Sequence, residues 1–577
     1  MEKTVPNHDA RRHDLDALRA FAMLLGIIFH AALPYSPWPW MVGDWKKNDL
    51  LIFFLTWVHG FRMPLFIFVS GYFTRMMWRR RGLTAVLKQR FLRVFLPLLL
   101  GTFTLLPLQD WLVTWANTRA AAEDAQRYSQ PGVRSEVVNA IRTGDLATLK
   151  KLLDTGADPN QADPEFKSPA LSWSAQYNNA AAARLLIEKG ADVNRPSPGG
   201  HRALHSAAYF AHPAVLEVLL DHGADPSLSN DGGETPSVAV TKKWDEVKGV
   251  AGYLRLPWSQ TEPEFQTARQ QCRQLLSRQS GSTAQKAVTA GPTENALTRS
   301  RTAYREFLTS DRFLVPGKIP GRSASGTGSW HLIYTSMFDH LWFLWYLCWL
   351  VGFFGVFTFL AERLRIPTLP SRWLLAPTWA CWLIPVTMIP QLWMGVFGLG
   401  FGPDTSVGLI PQPHLLLYYG IFFGTGALYF ESNDTQNRLG RRIWLLLPLA
   451  TCILLPVGMA TVQSHPLFSG VLQVAFAWSM SFGLIGLFSR YLKSENPTIR
   501  YLADSAYWLY LAHHPLVALF QNGLRPWDAP ALLKWLVLCV GLILVLLLSY
   551  ALLVRHTWLG RLLNGPRDRR AATKAAA

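Results

Sequence analysis

The chain has 577 residues, of which 50% are hydrophobic, only 16% are charged and 24 are Trp, a composition that excludes an ordinary soluble enzyme and indicates a membrane protein. The formal net charge is +18, yet residues 118–329 carry 25 Lys or Arg and 22 Asp or Glu, so that +15 lies on the other, more apolar 365 residues. Basic residues that flank membrane helices explain this charge, and we do not expect a nucleic-acid partner.

Ten segments are apolar over the roughly 20 residues that a helix needs to cross a bilayer. They are residues 16–34, 50–74, 94–115, 336–360, 373–393, 411–430, 443–460, 467–489, 504–521 and 532–554. The first, second and ninth of these contain more polar groups than the others, which is typical of helices that face a cavity or other helices rather than lipid. We therefore expect the functional residues in these three helices.

Lys and Arg predict the orientation of the helices, because they accumulate in the cytoplasmic loops of membrane proteins. The segment 75–93 contains seven basic residues, whereas the segment 394–411 contains none. This pattern predicts that both termini are cytoplasmic, including the basic tail 561–577. We do not expect the first apolar segment to be a cleaved signal peptide, because no A-x-A cleavage site follows it promptly and it carries His30. The pattern of Lys and Arg places the polar insert in the periplasm of a bacterial cell, with the ten helices in the inner (plasma) membrane.

The polar insert repeats with a period of 33 or 34 residues. Its Gly-Ala-Asp units begin at Gly156, Gly190 and Gly223, each after a pair of leucines, and Ala203–Ala208 resembles the sequence that starts a helix in ankyrin repeats. We predict an all-α ankyrin solenoid over 134–255, followed by a linker over 256–329. Such an array is either a docking module for an envelope protein or a spacer.

The cysteines indicate neither a disulfide framework nor a metal site. Cys348, Cys381, Cys452 and Cys539 lie inside apolar segments, and only Cys272 lies in the insert. No pair of cysteines outside the membrane helices is therefore available, and no spacing typical of zinc ligands occurs.

Two ionisable residues share one face of the first membrane helix. Arg19 and His30 are eleven residues apart, which is close to a whole number of turns and corresponds to about 16 Å along the helix axis. The second helix runs in the opposite direction and brings Arg62 to a depth between them. Charged groups inside a membrane are costly and indicate function, and these three can line one passage from the cytoplasm to the middle of the membrane.

These motifs resemble a known family. Leu15–Arg19 with His30, Phe61–Pro64 and Ser70–Phe73 resemble the membrane acyltransferase-3 family. The segments His340–Leu344 and Tyr510–Leu516 most resemble the glucans biosynthesis protein C branch of that family. The resemblance covers residues 1–117, with three membrane helices, and residues 330–560, with seven, but not the ankyrin insert.

The resemblance implies an integral membrane O-acyltransferase. Its donor substrate would be a cytoplasmic acyl-CoA, succinyl-CoA or acetyl-CoA, with no bound cofactor or metal, and its acceptor a carbohydrate hydroxyl of a periplasmic glucan or another envelope polysaccharide. His30 would act as a general base or carry the acyl group. Arg19 and Arg62 would hold the phosphates of the donor or stabilise an oxyanion.

Other polar residues are weaker candidates for supporting roles. His340 and Trp342 are expected near the outer surface, where they meet the acceptor or anchor the helix in the interface. His513 and His514 either orient His30 or serve helix packing. Asp16 is one turn from Arg19, where it either supports Arg19 in the site or forms a simple surface ion pair with it, and Ser70 belongs to the motif that resembles the family. The aromatic residues that follow the first span stack on sugar rings or form an aromatic belt, and these are Tyr35, Trp38, Trp40 and Trp45.

Two other functions compete with the enzyme. A non-catalytic membrane scaffold would use the ankyrin array alone, but it does not need ten membrane helices or the charges of Arg19, His30 and Arg62. A transporter or flippase of an anionic substrate would use those charges, although no inverted repeat is apparent in the sequence.

Overall fold

The computed structural model describes most of the chain. It does not describe residues 1–11, 37–39, 129–134, 164–165, 232, 243, 255, 284–295, 318–328, 366–371, 377, 396–399, 463 and 566–577. The chain divides into two compact units, of which the first comprises Met1–Thr118 and Thr298–Ala577 and the second Arg119–Leu297. The first unit contains the apolar segments, and the second contains the repeats.

The chain begins with three helices. They are α1 (His13–Ala32), which continues into a 3-10 turn at Leu33–Tyr35, α2 (Asp49–Arg90), and α3 (Leu96–Tyr128), which follows a π-helical turn at Phe91–Phe95. The helix α2 is broken at Gly82, whose positive φ of 78° suits a residue without a β-carbon. Arg90 donates a hydrogen bond to Thr74, sixteen residues earlier, although a straight helix would separate these residues by about 24 Å. The chain therefore folds back at Gly82.

The second unit contains nine helices among its described residues. They are α4 (Glu136–Thr143), α5 (Leu146–Asp154), α6 (Ala170–Gln176), α7 (Ala180–Glu188), α8 (Ala203–Tyr209), α9 (Pro213–Asp221), α10 (Pro236–Ala239), α11 (Trp244–Tyr253) and α12 (Glu262–Thr283). The helix α4 packs on α6 and α6 on α8, while α5 packs on α7 and α7 on α9. Equivalent helices of successive repeats are thus neighbours, as the ankyrin period predicts.

Turns between the repeats are linked by a recurrent pair of hydrogen bonds. Asn160 donates to the carbonyl of Gly190 and accepts from the N–H of Asp192. Asn194 makes the same two bonds to Gly223 and Asp225 in the next repeat. These bonds satisfy main-chain groups at the turns, where the glycines end the preceding helices.

The structure differs from the sequence prediction of a linker over 256–329. The helix α12 lies in this segment, contacts α9, α10 and α11, and buries Phe265, Cys272 and Leu276 in the core of the second unit. These three residues are spaced by seven and four positions and therefore share one helix face. The polar composition of the other faces concealed this apolar stripe.

The rest of the chain contains eleven further described helices and a small sheet. They are α13 (Ala296–Leu308), α14 (Trp342–Arg363), α15 (Arg372–Leu375), α16 (Trp379–Gln391), α17 (Pro413–Ser432), α18 (Ile443–Leu449), α19 (Leu455–Thr461), α20 (Pro466–Tyr491), α21 (Pro497–Leu524), α22 (Ala531–Ser549) and α23 (Trp558–Asn564). The antiparallel strands β1 (Leu314–Pro316) and β2 (Ser329–His331) precede α14. Helix occurs within each of the ten segments predicted to cross the membrane.

Six continuous helical segments are long and apolar enough to cross a membrane by length and composition. One of them, Asp49–Asp124, covers two predicted spans, because the chain folds back at Gly82 within it. Three predicted spans do not reach this criterion. The helix α16 in 373–393 is only 13 residues long, and α17 and α21 in the other two contain polar side chains.

The centre of the first unit is formed by α1, which packs on α2, α20 and α21, while α2 also packs on α20. The most apolar windows of α1 and α20 are 72% and 78% buried inside the protein, against 33% for α22 with its following turn. Glycine lets α2 approach α17, since a β-carbon at Gly71 would collide with the main chain of Phe423, and one at Gly426 with that of Phe68. The polar helices are therefore central, and the more apolar ones lie outside them.

Candidate active site

Four histidines from distant parts of the first unit meet at its centre. His30 lies near the end of α1, His340 in the 3-10 turn before α14, and His513 and His514 in the middle of α21. The centroid of the His30 ring lies 5.0 Å from that of His513 and 5.1 Å from that of His514. The rings of His514 and His340 stack, with 4.4 Å between their centroids. Such a cluster in a membrane segment indicates a functional site.

Hydrogen bonds define which nitrogen of His30 is available for chemistry. His513 Nδ1 lies 2.6 Å from the carbonyl oxygen of Tyr510, so it carries the proton and donates. In a neutral ring His513 Nε2 is then an acceptor, and it lies 2.8 Å from His30 Nδ1. His30 Nδ1 therefore donates, and His30 Nε2 keeps a lone pair that can accept a proton.

Proline in α21 supplies a further main-chain acceptor. Pro515 has no N–H, so the carbonyl of Leu511, four residues earlier, lacks its usual helical donor. His340 Nε2 lies 3.2 Å from this carbonyl oxygen and donates to it. The Tyr510 hydroxyl in turn donates to the carbonyl of His340. The turn before α14 is thereby fixed to α21 beside the histidine cluster.

A second chain of side chains orients His514. His514 Nδ1 lies 2.8 Å from Gln109 Oε1, and Gln109 Nε2 donates to Asp339 Oδ2 at 3.2 Å. Asp339 also accepts from the hydroxyl of Ser336. Gln109 lies on α3, so this helix takes part in the site although sequence analysis assigned it no role. His514 thus uses Nδ1–H for the network and stacks its ring on His340.

A tryptophan from the loop after α1 covers the other side of His30. The ring of Trp40 lies nearly parallel to that of His30, with 5.6 Å between centroids, and its Nε1–H donates to Gln521 Oε1. Gln521 Nε2 donates to the carbonyl of His30. The loop is anchored by Asp44, which accepts from Lys534 Nζ at 2.9 Å in a buried ion pair. Trp40 is therefore part of the site rather than of an aromatic belt.

Arg62 reaches the site from α2. Its guanidinium lies over the ring of Phe29 at 5.3 Å and fills the space beside Gly26, where a β-carbon would collide with it. Within the described part of the chain, Arg62 Nε is buried and has no hydrogen-bond partner. A small cavity of about 30 Å³ lies beside it, and the polar part of its lining comprises His30, Arg62, His340, Trp342 and Tyr510.

Arg19 lines a second and larger cavity of about 230 Å³. Its guanidinium lies 3.4 Å from Asp16, as the sequence spacing predicts, and Ser70 also lines this cavity while donating its hydroxyl to the carbonyl of Phe66. The two cavities have three wall residues in common, which are Met23, Phe66 and Phe343. Arg19 and His30 consequently line neighbouring cavities in one region of the interior.

All nine residues singled out in the sequence lie along this region. They comprise His30, Arg62, His340 and Trp342 around the smaller cavity, His513 and His514 against the His30 ring, Arg19 and Ser70 around the larger cavity, and Asp16 beside Arg19. The remaining aromatic candidates lie elsewhere: Tyr35 is buried, Trp45 lies under Arg525, and Trp38 is outside the described residues.

Sequence analysis missed several residues of the site. Arg90 and Arg93 line the larger cavity, but they were counted only as cytoplasmic charges. The Tyr510 carbonyl orients His513, and Gln109 orients His514. Pro515 directly after the histidine pair was a usable signal for a special main-chain geometry. Gln109 and Asp110 are adjacent polar residues within the predicted span 94–115, and nothing in the local sequence indicates which of the two faces the site.

Comparison with family models gives two matches. The model described as "Acyltransferase domain" matches residues 12–137 and 301–554. The model described as "Ankyrin repeats (3 copies)" matches residues 137–230. The first match includes every residue of the histidine cluster as well as Arg19 and Arg62, and the second lies within the second unit.

Comparison with curated proteins and solved structures gives partial relatives. Glucans biosynthesis protein C of Escherichia coli (strain K12) is 42% identical over 89 residues, which cover 15% of this chain and 23% of that protein. E3 ubiquitin-protein ligase hecd-1 of Caenorhabditis elegans is 32% identical over 172 residues, or 29% of this chain and 6% of that protein. The chain thus spans less than a quarter of either. The ankyrin repeat domain of Bcl-3 is 31% identical, covers 18% of this chain and 45% of its own, and has a TM-score of 0.18.

Proposed function

Because this chain belongs to the acyltransferase-3 family and is therefore an acyltransferase, we propose that it is an integral membrane O-acyltransferase acting on envelope carbohydrate. It transfers a succinyl or acetyl group from a cytoplasmic acyl-CoA to a hydroxyl of a periplasmic glucan or another envelope polysaccharide. The observation that carries this proposal is the hydrogen-bond chain from Tyr510 through His513 to His30, which leaves His30 Nε2 with a free lone pair.

The geometry supports general base catalysis by His30. Nε2 removes the proton of the acceptor hydroxyl while its oxygen attacks the thioester carbonyl, and His513 holds the ring through Nδ1–H as positive charge develops. The tetrahedral oxyanion faces Arg62, whose buried guanidinium has no acidic partner among the described residues to neutralise it. When the C–S bond breaks, the leaving thiolate takes the proton from the His30 imidazolium. The products are an ester and free CoA.

The same lone pair could instead attack the thioester directly. The acyl group would then reside on His30 Nε2 until the acceptor hydroxyl attacked it, and CoA would leave before the acceptor reacted. The two routes are distinguished by the protein alone, because only the second one releases CoA in a stoichiometric burst when no acceptor is present.

We place both termini in the cytoplasm of a bacterial cell, the ten helices in the inner membrane and the ankyrin repeats in the periplasm. The distribution of Lys and Arg supports this topology, since the segment 75–93 is basic and the segment 394–411 is not. A reporter active only in the periplasm, inserted near residue 285, should be active. If a reporter active only in the cytoplasm is active at the same position, the orientation is the opposite one, and the acyl group cannot move from the cytoplasm to the periplasm as proposed.

The ankyrin repeats serve in this proposal as a docking module for an envelope protein that presents the acceptor. Ankyrin arrays bind proteins through variable surface residues on a stacked scaffold, and this unit has a core of its own that does not depend on the acyltransferase chemistry. A scaffold or a transporter would not require the hydrogen-bond chain that orients His30.

The direct test in cells compares envelope glycans made with the wild-type chain and with His30→Ala at equal expression. Mass spectrometry should find an ester-linked acyl group with the wild type and lose it with the variant, and the mass increment identifies the group. The fraction that carries the ester identifies the acceptor. An ester that persists with His30→Ala would refute the catalytic role of His30.

A further inference from the structure

The loop between α1 and α2 brings an aromatic side chain to the ring of His30. The helix α1 ends at Ala32, two residues after His30, so this ring lies at the end of the helix to which the loop is attached. The proposed topology places that end on the periplasmic side, from which a carbohydrate acceptor must come. Trp40 belongs to this loop and is half-buried, so it lies on the side of His30 that the acceptor approaches.

The indole ring of Trp40 has a fixed orientation relative to the imidazole of His30. The two rings are within 12° of parallel, with 5.6 Å between their centroids, and the ring of His514 meets the indole at 78° and 5.3 Å. Trp40 Nε1–H donates to Gln521 Oε1 at 3.1 Å, and Gln521 Nε2 donates to the carbonyl of His30 at 3.4 Å. One amide of α21 therefore holds both the indole and the backbone that carries the imidazole.

Buried charges anchor the part of the loop that follows Trp40. The side chains of Asp44 and Lys534 form an ion pair and are only 4% and 0% exposed. The guanidinium of Arg525 donates through Nε to the carbonyl of Gly43 at 3.0 Å. Burial of charges is costly, so these contacts indicate that the position of the loop serves a purpose. A loop that is already ordered also loses little conformational entropy when a ligand binds to it.

A fixed indole beside a general base suits an acceptor with a sugar ring. Such a ring carries C–H groups on its faces and hydroxyl groups around its edge. Its face can therefore pack against the apolar indole while its hydroxyls point sideways and stay free to react. The separation between the centroids of Trp40 and His30 is comparable to the width of one sugar ring. A sugar that packs against Trp40 consequently has its edge near the imidazole of His30.

We propose that Trp40 is the platform for the sugar ring of the acceptor and thereby makes the enzyme prefer a carbohydrate to an open-chain alcohol. Gln521 is a positioning residue in this assignment, because it acts on the acceptor only through the indole. The inference rests on the proposed function and adds to it a residue that determines acceptor specificity. The roles of His30 and Arg62 in the reaction are unchanged.

The test compares two acceptors with the full-length chain in detergent micelles. One is a glucan oligosaccharide, and the other is glycerol, which has hydroxyls but no ring. Trp40→Leu should lower kcat/KM for the oligosaccharide by about tenfold or more, because the packing of the sugar face is lost. The rate of transfer to glycerol and the KM for acyl-CoA should stay unchanged. Trp444→Leu is the control, since it removes an indole that is 70% exposed on α18.

Two results would overturn the assignment. If Trp40→Leu slows transfer to the oligosaccharide and to glycerol by the same factor, Trp40 only supports the ring of His30 and does not bind the sugar. If kcat/KM for the oligosaccharide is unchanged, Trp40 has no role in the reaction. Trp40→Tyr keeps an aromatic face and should retain most of the preference for the oligosaccharide. This second variant keeps the assignment testable if Trp40→Leu does not fold, because loss of the ring-dependent preference can still be measured against it in Gln521→Leu.

Equilibrium binding separates this inference from the proposed function. Without acyl-CoA no transfer can occur, so dialysis of radiolabelled oligosaccharide against the full-length chain measures binding alone. Trp40→Leu should raise the Kd by about tenfold or more, and Trp444→Leu should leave it unchanged. If binding depends on Trp40 while no ester ever forms, the platform is right and the proposed reaction is wrong. If esters form and the Kd is the same in Trp40→Leu, the platform is wrong and the reaction stands.

Discussion

The His30 imidazole is oriented by two hydrogen bonds in series that end at a main-chain carbonyl. A carbonyl oxygen can only accept, so the Tyr510 carbonyl dictates the tautomer of His513, and His513 in turn dictates that of His30. No carboxylate takes part in this chain. The arrangement fixes the direction of the Nε2 lone pair without placing a negative charge inside the membrane, where a charge would be costly.

Substitutions at His513 test this orientation. His513→Ala removes the acceptor for His30 Nδ1–H, and we expect the rate of acyl transfer to fall by about 100-fold, within the range for a misaligned general base. The amide oxygen of Gln can accept the same hydrogen bond, so His513→Gln should retain about a tenth of the wild-type rate. The measurement is the initial rate of transfer at saturating acyl-CoA. Equal rates for the two variants would show that His513 does not act through the tautomer of His30.

The position of Arg62 depends on the absence of a side chain at Gly26. Gly26→Ala would place a β-carbon where the guanidinium now lies, so the guanidinium must move away from the thioester position. We expect a loss of at least tenfold in kcat, because removal of an oxyanion donor costs about 100-fold or more when it is complete. Gly424→Ala is the matched control, since a β-carbon there meets nothing within 4 Å. A Gly26→Ala variant with the wild-type kcat would show that Arg62 takes no part in the reaction.

At the scale of elements, helix interruptions carry much of the site. Gly82 turns the chain so that Arg90 returns to Thr74, and Pro515 leaves the Leu511 carbonyl available to His340. The sequence marks both interruptions by residue type. It does not indicate which residue makes use of each interruption, because that residue can be distant in sequence. His340, for example, is 171 residues from the Leu511 carbonyl that it contacts. Sequence analysis could therefore predict the helices and not these contacts.

A buried histidine makes the second unit sensitive to acid. Burial lowers the pKa of His212 to about 4, and its Nδ1–H donates to the carbonyl of Ala175 at 2.8 Å. The folded unit then binds fewer protons than the unfolded chain, whose histidines titrate near 6.5, so stability is full above pH 6.5 and is lost as the pH falls towards 4. The linkage predicts a loss of about 2 kcal/mol between pH 7.5 and pH 5.

The part of this loss that is due to His212 should be absent in His212→Gln, because the amide can still donate to Ala175 but does not take up a proton. The lowered pKa values of His201 and His205, which also result from burial, should leave a smaller pH dependence. The measurement is the free energy of opening from hydrogen exchange of the repeat peptides at the two pH values, corrected for intrinsic exchange rates. The control is His222→Gln. His222 is half-buried and directly follows α9, the helix that His212 directly precedes. A wild-type pH dependence that survives in His212→Gln would contradict the assignment.

At the scale of the molecule, the two compact units predict separable functions. Replacement of residues 129–295 by a flexible Gly/Ser linker should leave the first unit folded, because its core includes no residue of that segment. We expect unchanged binding of CoA and at least a fivefold lower yield of acylated glycan in cells, together with loss of any co-purifying envelope protein. Unchanged acylation and unchanged co-purification would make the ankyrin unit a spacer.

The sequence predicts this architecture well where a pattern is local. The ankyrin period, the apolar segments and the Arg19–His30 stripe all depend on spacings within one helix or one repeat. The polar helix α12 was missed, because its apolar stripe is thin and its remaining faces are rich in Gln, Ser and Arg. Gln109 and the two arginines of the larger cavity were missed, and the contact of Trp40 with His30 was not predicted, because these roles arise only from contacts across the folded unit.

The central claim is that His30 catalyses transfer of an acyl group from a CoA thioester to a carbohydrate hydroxyl. Its most direct test uses the purified chain in lipid vesicles, with radiolabelled acyl-CoA and an envelope glucan. The wild-type chain should move the label into a base-labile ester of the glucan, and His30→Ala should lower this rate by about 1,000-fold while binding CoA normally. An equal rate of ester formation in His30→Ala would contradict the account.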